Sequence, residues 1–188
     1  MYKQVENEFT RRMWGLFPLR TGAAMFYLRK GSPIQKAIHG IKYRNQAKIG
    51  LLFGKQFGAM LRNSAHYGAV DCIVPLPLHP ERERKRGYNQ SLYFARGIAA
   101  SLGKACVSSA VTRVVKTDSQ TRKNRMERFD NVCKVFRLTR PQLLEGKHVL
   151  LIDDVLTTGA TLESCGHALL KGAGVQVSMA TLAMAVNR

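Results

Sequence analysis

One stretch constrains this chain more than any other: Val149–Leu162, which reads VLLIDDVLTTGATL. Val149, Leu150, Leu151 and Ile152 form an unbroken apolar run, the pattern of a short strand buried on both faces in a parallel sheet. Asp153 and Asp154 follow at the expected carboxyl end of that strand. Thr157, Thr158, Gly159, Ala160 and Thr161, all small or hydroxylated, then open a helical pattern. Ligands of open parallel sheets settle beyond the carboxyl ends of the strands. The unpaired N–H groups at a helix start carry the positive end of its dipole, so a phosphate is favoured there. Acids at a strand end, a hydroxyl-rich turn with one glycine and a following helix therefore suit an anionic ligand. The stretch matches neither GxxxxGK followed by Ser or Thr nor GxGxxG, which excludes a Walker loop and a dinucleotide fingerprint.

The chain has 188 residues, enough for one domain with a sizeable core and a small appended subdomain. Apolar residues at 45% and charged residues at 22% are ordinary for a globular protein. The opening MYKQVENEF lacks the plan of a signal peptide, and no apolar run approaches the ~20 residues of a membrane span. The expectation is a cytoplasmic protein without membrane insertion. Cys72, Cys106, Cys133 and Cys165 show no CxxC spacing, which argues for inert thiols over a disulfide framework or a zinc module. No protein metal-ligand set is expected. Lys and Arg total 30 against 12 Asp and Glu, a formal net charge of +18. Such an excess attracts polyanions, and both phosphorylated small molecules and nucleic acid satisfy it.

In chain order, Ala23–Leu28 reads as a strand, and Trp14, Phe17, Phe26 and Tyr27 as packing against the main body. After the turn Gly31-Ser32-Pro33, apolar residues at Ile34, Ala37, Ile38 and Ile41 recur at helical spacing through about Lys42. Within this segment lies His39-Gly40-Ile41-Lys42-Tyr43. A second helix fits Ala47–Leu61, where Gly50, Gly54 and Gly58 lower helix propensity by roughly 1 kcal/mol each and so suggest close packing. Cys72–Val74 form a short strand that Pro75 and Pro77 end, and Leu76–Pro77 is a candidate cis bond. Arg82, Arg84, Lys85 and Arg86 then cluster beyond that strand, a composition that suits a diphosphate. An amphipathic helix over Asn89–Leu102 stops at Gly103. Val111–Val115 reads as a strand before a polar, basic segment containing Thr117, Gln120, Thr121, Arg122, Lys123, Arg125 and Arg128. A returning strand fits Asn131–Leu138, and after the helix from Leu162 to Leu169 a final buried strand fits Val175–Met184. Strands alternating with helices imply a right-handed parallel α/β sheet.

The stretch around Asp153 and Asp154 resembles the phosphoribosyl diphosphate (PRPP) motif of type I phosphoribosyltransferases: four apolar residues, two acids and a TTGAT-type loop. The resemblance implies a Rossmann-like parallel-sheet core over residues 70–188 and an N-terminal segment with a hood-like helical subdomain over residues 1–69. It implies that Thr157, Thr158, Gly159, Ala160 and Thr161 hold the ribose 5-phosphate and that Asp153 and Asp154 take the ribose hydroxyls. Leu76, Pro77, Arg82, Arg84 and Arg86 fall on the diphosphate side, joined by Arg122 and Arg125 from a mobile loop. Asp153, Asp154, Lys85 and Arg86 are the implied catalytic residues, and Mg²⁺ is expected to arrive with the substrate. RKRGYNQS after PLPLHP, with IHGIKY upstream, is similar to the ComF-type, competence-associated branch over roughly residues 27–184. That branch places a Thr, a Gln, an Arg, then Asn-Val before a Phe, as in Thr117, Gln120, Arg128, Asn131, Val132 and Phe136.

Two departures qualify the resemblance. Purine-type relatives carry a carboxylate where this chain has Thr157, which makes a 6-oxopurine acceptor a poor match; a Thr here resembles the orotate-type loop. ComF-like proteins usually begin with a four-cysteine zinc module, and no paired cysteines precede Cys72. Two readings stay open at this point. One is a phosphoribosyltransferase-like protein that binds PRPP and Mg²⁺, or a ribose 5-phosphate nucleotide moiety, with transfer to an unidentified acceptor undecided. The other is a DNA-uptake accessory protein that contacts single-stranded DNA and a helicase, with Tyr88, Tyr93, Phe94 and Phe129 as stacking candidates. The resemblance also admits a homodimer.

Overall fold

The computed structural model describes residues 6–44, 46–115 and 135–186. The segment holding Thr117, Gln120, Arg122, Arg125, Arg128, Phe129, Asn131 and Val132 lies outside the described residues. A short helix, α1 (Glu8–Met13), comes first, capped by the Asn7 side chain, which accepts from the Phe9 and Thr10 amides. Asn7 Nδ2 also donates to the Gly22 carbonyl at 2.9 Å and so ties α1 to β1 (Gly22–Leu28). Ser32 caps α2 (Pro33–Tyr43), whose first-turn proline sits where its missing N–H is harmless. Next come α3 (Ala47–Arg62), α4 (Ala65–Gly68) and β2 (Cys72–Pro75). Gly87, at φ 80°, closes α5 (Pro80–Arg86) in the left-handed conformation that glycine adopts without strain. Asn89 caps α6 (Gln90–Leu102) by accepting from the Ser91 amide. β3 (Ala105–Cys106), β4 (Val111–Arg113) and β5 (Phe136–Leu138) precede β6 (His148–Leu156), α7 (Ala160–Leu169) and β7 (Gln176–Ala185).

Five strands form one parallel sheet in the order β1-β7-β6-β2-β3. Side chains of a strand alternate between faces, so β6 feeds two cores. Val149 and Leu151 join Phe9, Met13, Leu162 and Cys165 on the face covered by α1 and α7. Leu150 and Ile152 join Phe57, Leu61, Phe94 and Ile98 on the face covered by α3 and α6. The chain leaves β2 toward β3 on one side and leaves β6 toward β7 on the other. Neighbouring strands whose connections diverge in this way open a crevice at their carboxyl ends, here between β2 and β6.

Three expectations are revised. β6 does not stop at Ile152: Asp153, Val155 and Leu156 pair with Thr181, Ala183 and Met184 of the long β7, so both acids lie inside the strand. The strand expected over Val111–Val115 shortens to β4, Phe136–Leu138 of the expected returning strand form β5, and these two pair antiparallel with each other, outside the parallel sheet. None of the described peptide bonds is cis, so Leu76–Pro77 is trans. Among the described residues, no helix is long and apolar enough to cross a membrane.

Of the α3 glycines expected to pack closely, Gly54 and Gly58 do and Gly50 does not. A Cβ on Gly58 would meet Ile98 Cα at 2.9 Å, and one on Gly54 would meet Gly97 Cα at 3.0 Å, whereas one on Gly50 would find nothing nearer than 3.7 Å. Gly58→Ala is expected to destabilise by about 1 kcal/mol or more, because overpacking outweighs the helix-propensity gain of about 1 kcal/mol. Gly50→Ala is expected to be neutral or stabilising. Urea unfolding midpoints that move together for the two variants would refute the close-packing account.

Candidate functional site

At the mouth of the β2–β6 crevice, Asp153 and Asp154 lie side by side, each only 8% exposed. β2 ends at Pro75, opposite Ile152, and the Leu76 amide makes the last contact, donating to the Ile152 carbonyl at 2.8 Å. The start of α6 fills the space beyond. Ser91 Oγ donates to Asp153 Oδ1 at 3.0 Å, and Gln90 Nε2 donates to Asp154 Oδ2 at 3.0 Å. Asn89 Nδ2 donates to the Leu76 carbonyl at 3.0 Å, so the capping residue of α6 also fixes the end of β2. The Asp154 amide donates to Asp153 Oδ1 at 2.8 Å. Burial, and secondly the charge of Asp154, push the Asp153 carboxyl up to about 7.

A cation reaches this pair from α2. Lys42 Nζ lies 2.8 Å from Asp154 Oδ2. Its neighbours are anchored on the segment before α6: Tyr88 donates its hydroxyl to the Ile41 carbonyl, and the Arg86 guanidinium sits 5.2 Å from the Tyr43 ring centre. Arg86 Nη1 donates to Gln90 Oε1 at 2.8 Å. The strings IKY and RGYNQ are thus interlocked around Asp154. Both strings stand out in the sequence, but the roles of Lys42, Gln90 and Ser91 do not, because contact between distant segments leaves no local spacing to read.

The turn after β6 leads into α7 through Gly159, at φ 91°. Gly159 is buried; Thr157, Thr158, Ala160 and Thr161 are exposed. A Cβ on Gly159 would lie 2.8 Å from Met13 Sδ, so α1 packs under the turn and demands glycine there. No side chain caps α7, and a long 3.5 Å contact from the Ala160 amide to Thr158 Oγ1 accompanies the open first turn. Arg12, from the stretch that the sequence left least informative, donates to the Thr157 carbonyl at 3.4 Å and to the Ala185 carbonyl.

The cationic run 82–86 is helical. Arg82 and Arg86, four residues apart, share a half-buried side of α5, whereas Arg84 and Lys85 are exposed. Arg86 is joined to the acid pair through Gln90; none of the described contacts links Lys85 to it. Leu76 is buried, and Pro77 lines a pocket of about 260 Å³ with Pro75, Leu78, Glu83, Asn89 and Arg113. Burial, and then the neighbouring Arg82 charge, lower the pKa of Arg113, while Asp153 opposes them. Arg122 and Arg125 lie outside the described residues.

Known proteins are similar to this chain in sequence. The family model described as "Phosphoribosyl transferase domain" matches residues 89–187. "DNA utilization protein YhgH" of Salmonella typhi is 31% identical over 150 residues, 78% of this chain and 65% of that protein. "Competence protein ComFC" of Bacillus subtilis is 31% identical, over 79% of this chain and 59% of that protein. "Competence protein F" of Haemophilus influenzae is 27% identical, over 74% of this chain and 62% of that protein. The chain therefore spans less than two thirds of the length of these relatives. Domain match, parallel sheet and relatives agree, and the chain belongs to the phosphoribosyltransferase family, in its ComF-type branch.

Proposed function

We propose that this chain binds PRPP, or the ribose 5-phosphate end of a nucleotide, across the carboxyl ends of β2 and β6. The observation that carries the reading is the division of labour within the acid pair. Every described hydrogen bond or ion pair to it falls on Asp153 Oδ1 or Asp154 Oδ2, which reserves the other oxygen of each carboxylate for the two ribose hydroxyls. The uncapped first turn of α7, with Thr157, Thr158 and Thr161 around it, takes the 5-phosphate. Arg82 and Arg86 line the diphosphate side with Leu76 and Pro77.

Phosphoribosyl transfer on this site proceeds by loss of diphosphate from the anomeric carbon, leaving an oxocarbenium-like state. The negative charge of Asp154, held through Gln90 and Lys42, lies close to that developing positive charge, and the arginines stabilise the departing one. Among the described residues no group of three or more His, Cys, Asp or Glu could hold a metal, so a dedicated cage is absent there. Two adjacent acids do fit Mg²⁺ carried mainly by substrate oxygens. Asp153 and Asp154 would hold it, and it would offset phosphate charge.

The competence and DNA-utilization names of the relatives, with the net charge of +18, favour a second reading, single-stranded DNA binding at the same face. The two separate by salt: DNA affinity that falls steeply with salt and ignores PRPP supports the second. Calorimetric titration of PRPP with Mg²⁺ tests the first. Asp154→Asn and Thr158→Ala are each expected to weaken binding by about tenfold to hundredfold, the loss of one charge-assisted hydrogen bond. Wild-type affinity in both variants would remove the assignment.

Burying a carboxylate, and secondly setting it beside another, also lowers stability in a pH-dependent way. Asp153 titrates near 7 in the folded chain against an ordinary 3.8, so the folded state keeps a proton that the unfolded state has released. Stability from this group is full below 3.8 and is lost as the pH rises to about 7. Asp153→Asn is expected to remove that slope, so urea unfolding of variant and wild type should diverge across this window, with the variant gaining toward neutral pH. Parallel curves would contradict it.

A further inference from the structure

The acid pair has a resident cation whose place is fixed by three consecutive residues of α2. Ile41 receives the Tyr88 hydroxyl, Lys42 meets Asp154 at 2.8 Å, and Tyr43 lies under Arg86. The circuit closes through Arg86, Gln90 and Asp154, with links of 2.8 and 3.0 Å. Lys42 is therefore anchored by its own helix and its side chain is mostly buried, unlike a surface lysine that pairs in passing. Two neighbouring carboxylates taken out of water need a counter-charge, and where the described residues form no metal cage that charge would otherwise have to arrive with the ligand.

We propose that Lys42 is the built-in counter-ion of the acid pair, a positioning residue that lets Asp153 and Asp154 accept a ribose diol with no divalent cation beside it. The proposal rests on the reading of the site given above and deepens it. Dependence on Mg²⁺ is confined to ligands that carry a diphosphate. Ligands that end in ribose 5-phosphate alone, the free sugar phosphate and nucleoside 5′-monophosphates, bind without metal.

Ribose 5-phosphate and 2-deoxyribose 5-phosphate are the probes, titrated by calorimetry in chelator and in Mg²⁺. The wild type is expected to prefer the ribose form and to change its affinity less than about twofold on adding Mg²⁺. Lys42→Met is expected to bind weakly in chelator and to gain about tenfold from Mg²⁺, an ordinary coupling between two sites competing for one charge. Lys42→Arg, which keeps the cation, is expected to behave as the wild type. A merely structural role would weaken Lys42→Met equally in both media, and that result overturns the proposal. So does a wild-type protein that needs Mg²⁺ for ribose 5-phosphate, a measurement that needs no variant to fold. A preference for ribose with strong Mg²⁺ dependence sinks this inference and leaves the site reading standing, whereas no binding of either sugar in either medium sinks both.

Discussion

Proline has no N–H to offer a neighbouring strand, and Pro75 and Pro77 end β2 while β6 runs on to Leu156 with β7 as its partner. The gap between these two lengths is where the site forms. Had β2 continued, its backbone would have covered the β2-side flank of Asp153 and Asp154. Instead the first residues of α6 enter that space, and Asn89, Gln90 and Ser91 bond in turn to the end of β2, to Asp154 and to Asp153. One helix start thus serves as cap, strand stop and holder of two carboxylates. Its position follows from burial of Phe94 and Ile98 against Ile73, Leu150 and Ile152.

The chain has 12 acidic residues against 30 basic ones and places two of them next to each other inside a buried strand. Nothing about folding asks for this. Two apolar residues at those positions would extend β6 without repulsion, and local sequence choices that oppose stability tend to mark function. The surrounding groups counter the repulsion with amide, hydroxyl and ammonium donors.

Patterns that one element carries by itself were legible in the sequence. Val149–Ile152 announced a doubly buried strand, Gly103 the end of a helix, and Gly54 and Gly58 a close helix contact, since each depends on residues a few positions apart. The acid pair and the threonine turn were legible for the same reason. What failed to show was length set by a partner and contact between distant segments. β6 extends beyond Ile152 because β7 is there to pair with, and β4 and β5 turn to each other rather than joining the parallel sheet. Lys42 and Arg12 reach Asp154 and Thr157 across 112 and 145 residues of chain only because their helices dock there.

Those two cations give the N-terminal helices a share in the site that the core motif does not reveal. Arg12 donates to the carbonyl of Thr157 at the start of the turn after β6, while Met13 of the same helix occupies the space that a side chain on Gly159 would need. Lys42 meets the acid at the far end of the same strand segment. The turn and the acids are each braced from outside the sheet, by α1 on one face and α2 on the other. Under the proposed reading, a group bound at the turn acts on α1 and a group bound at the acids acts on α2, so a ribose 5-phosphate would engage both braces at once, whereas a phosphate or a ribose alone would engage one.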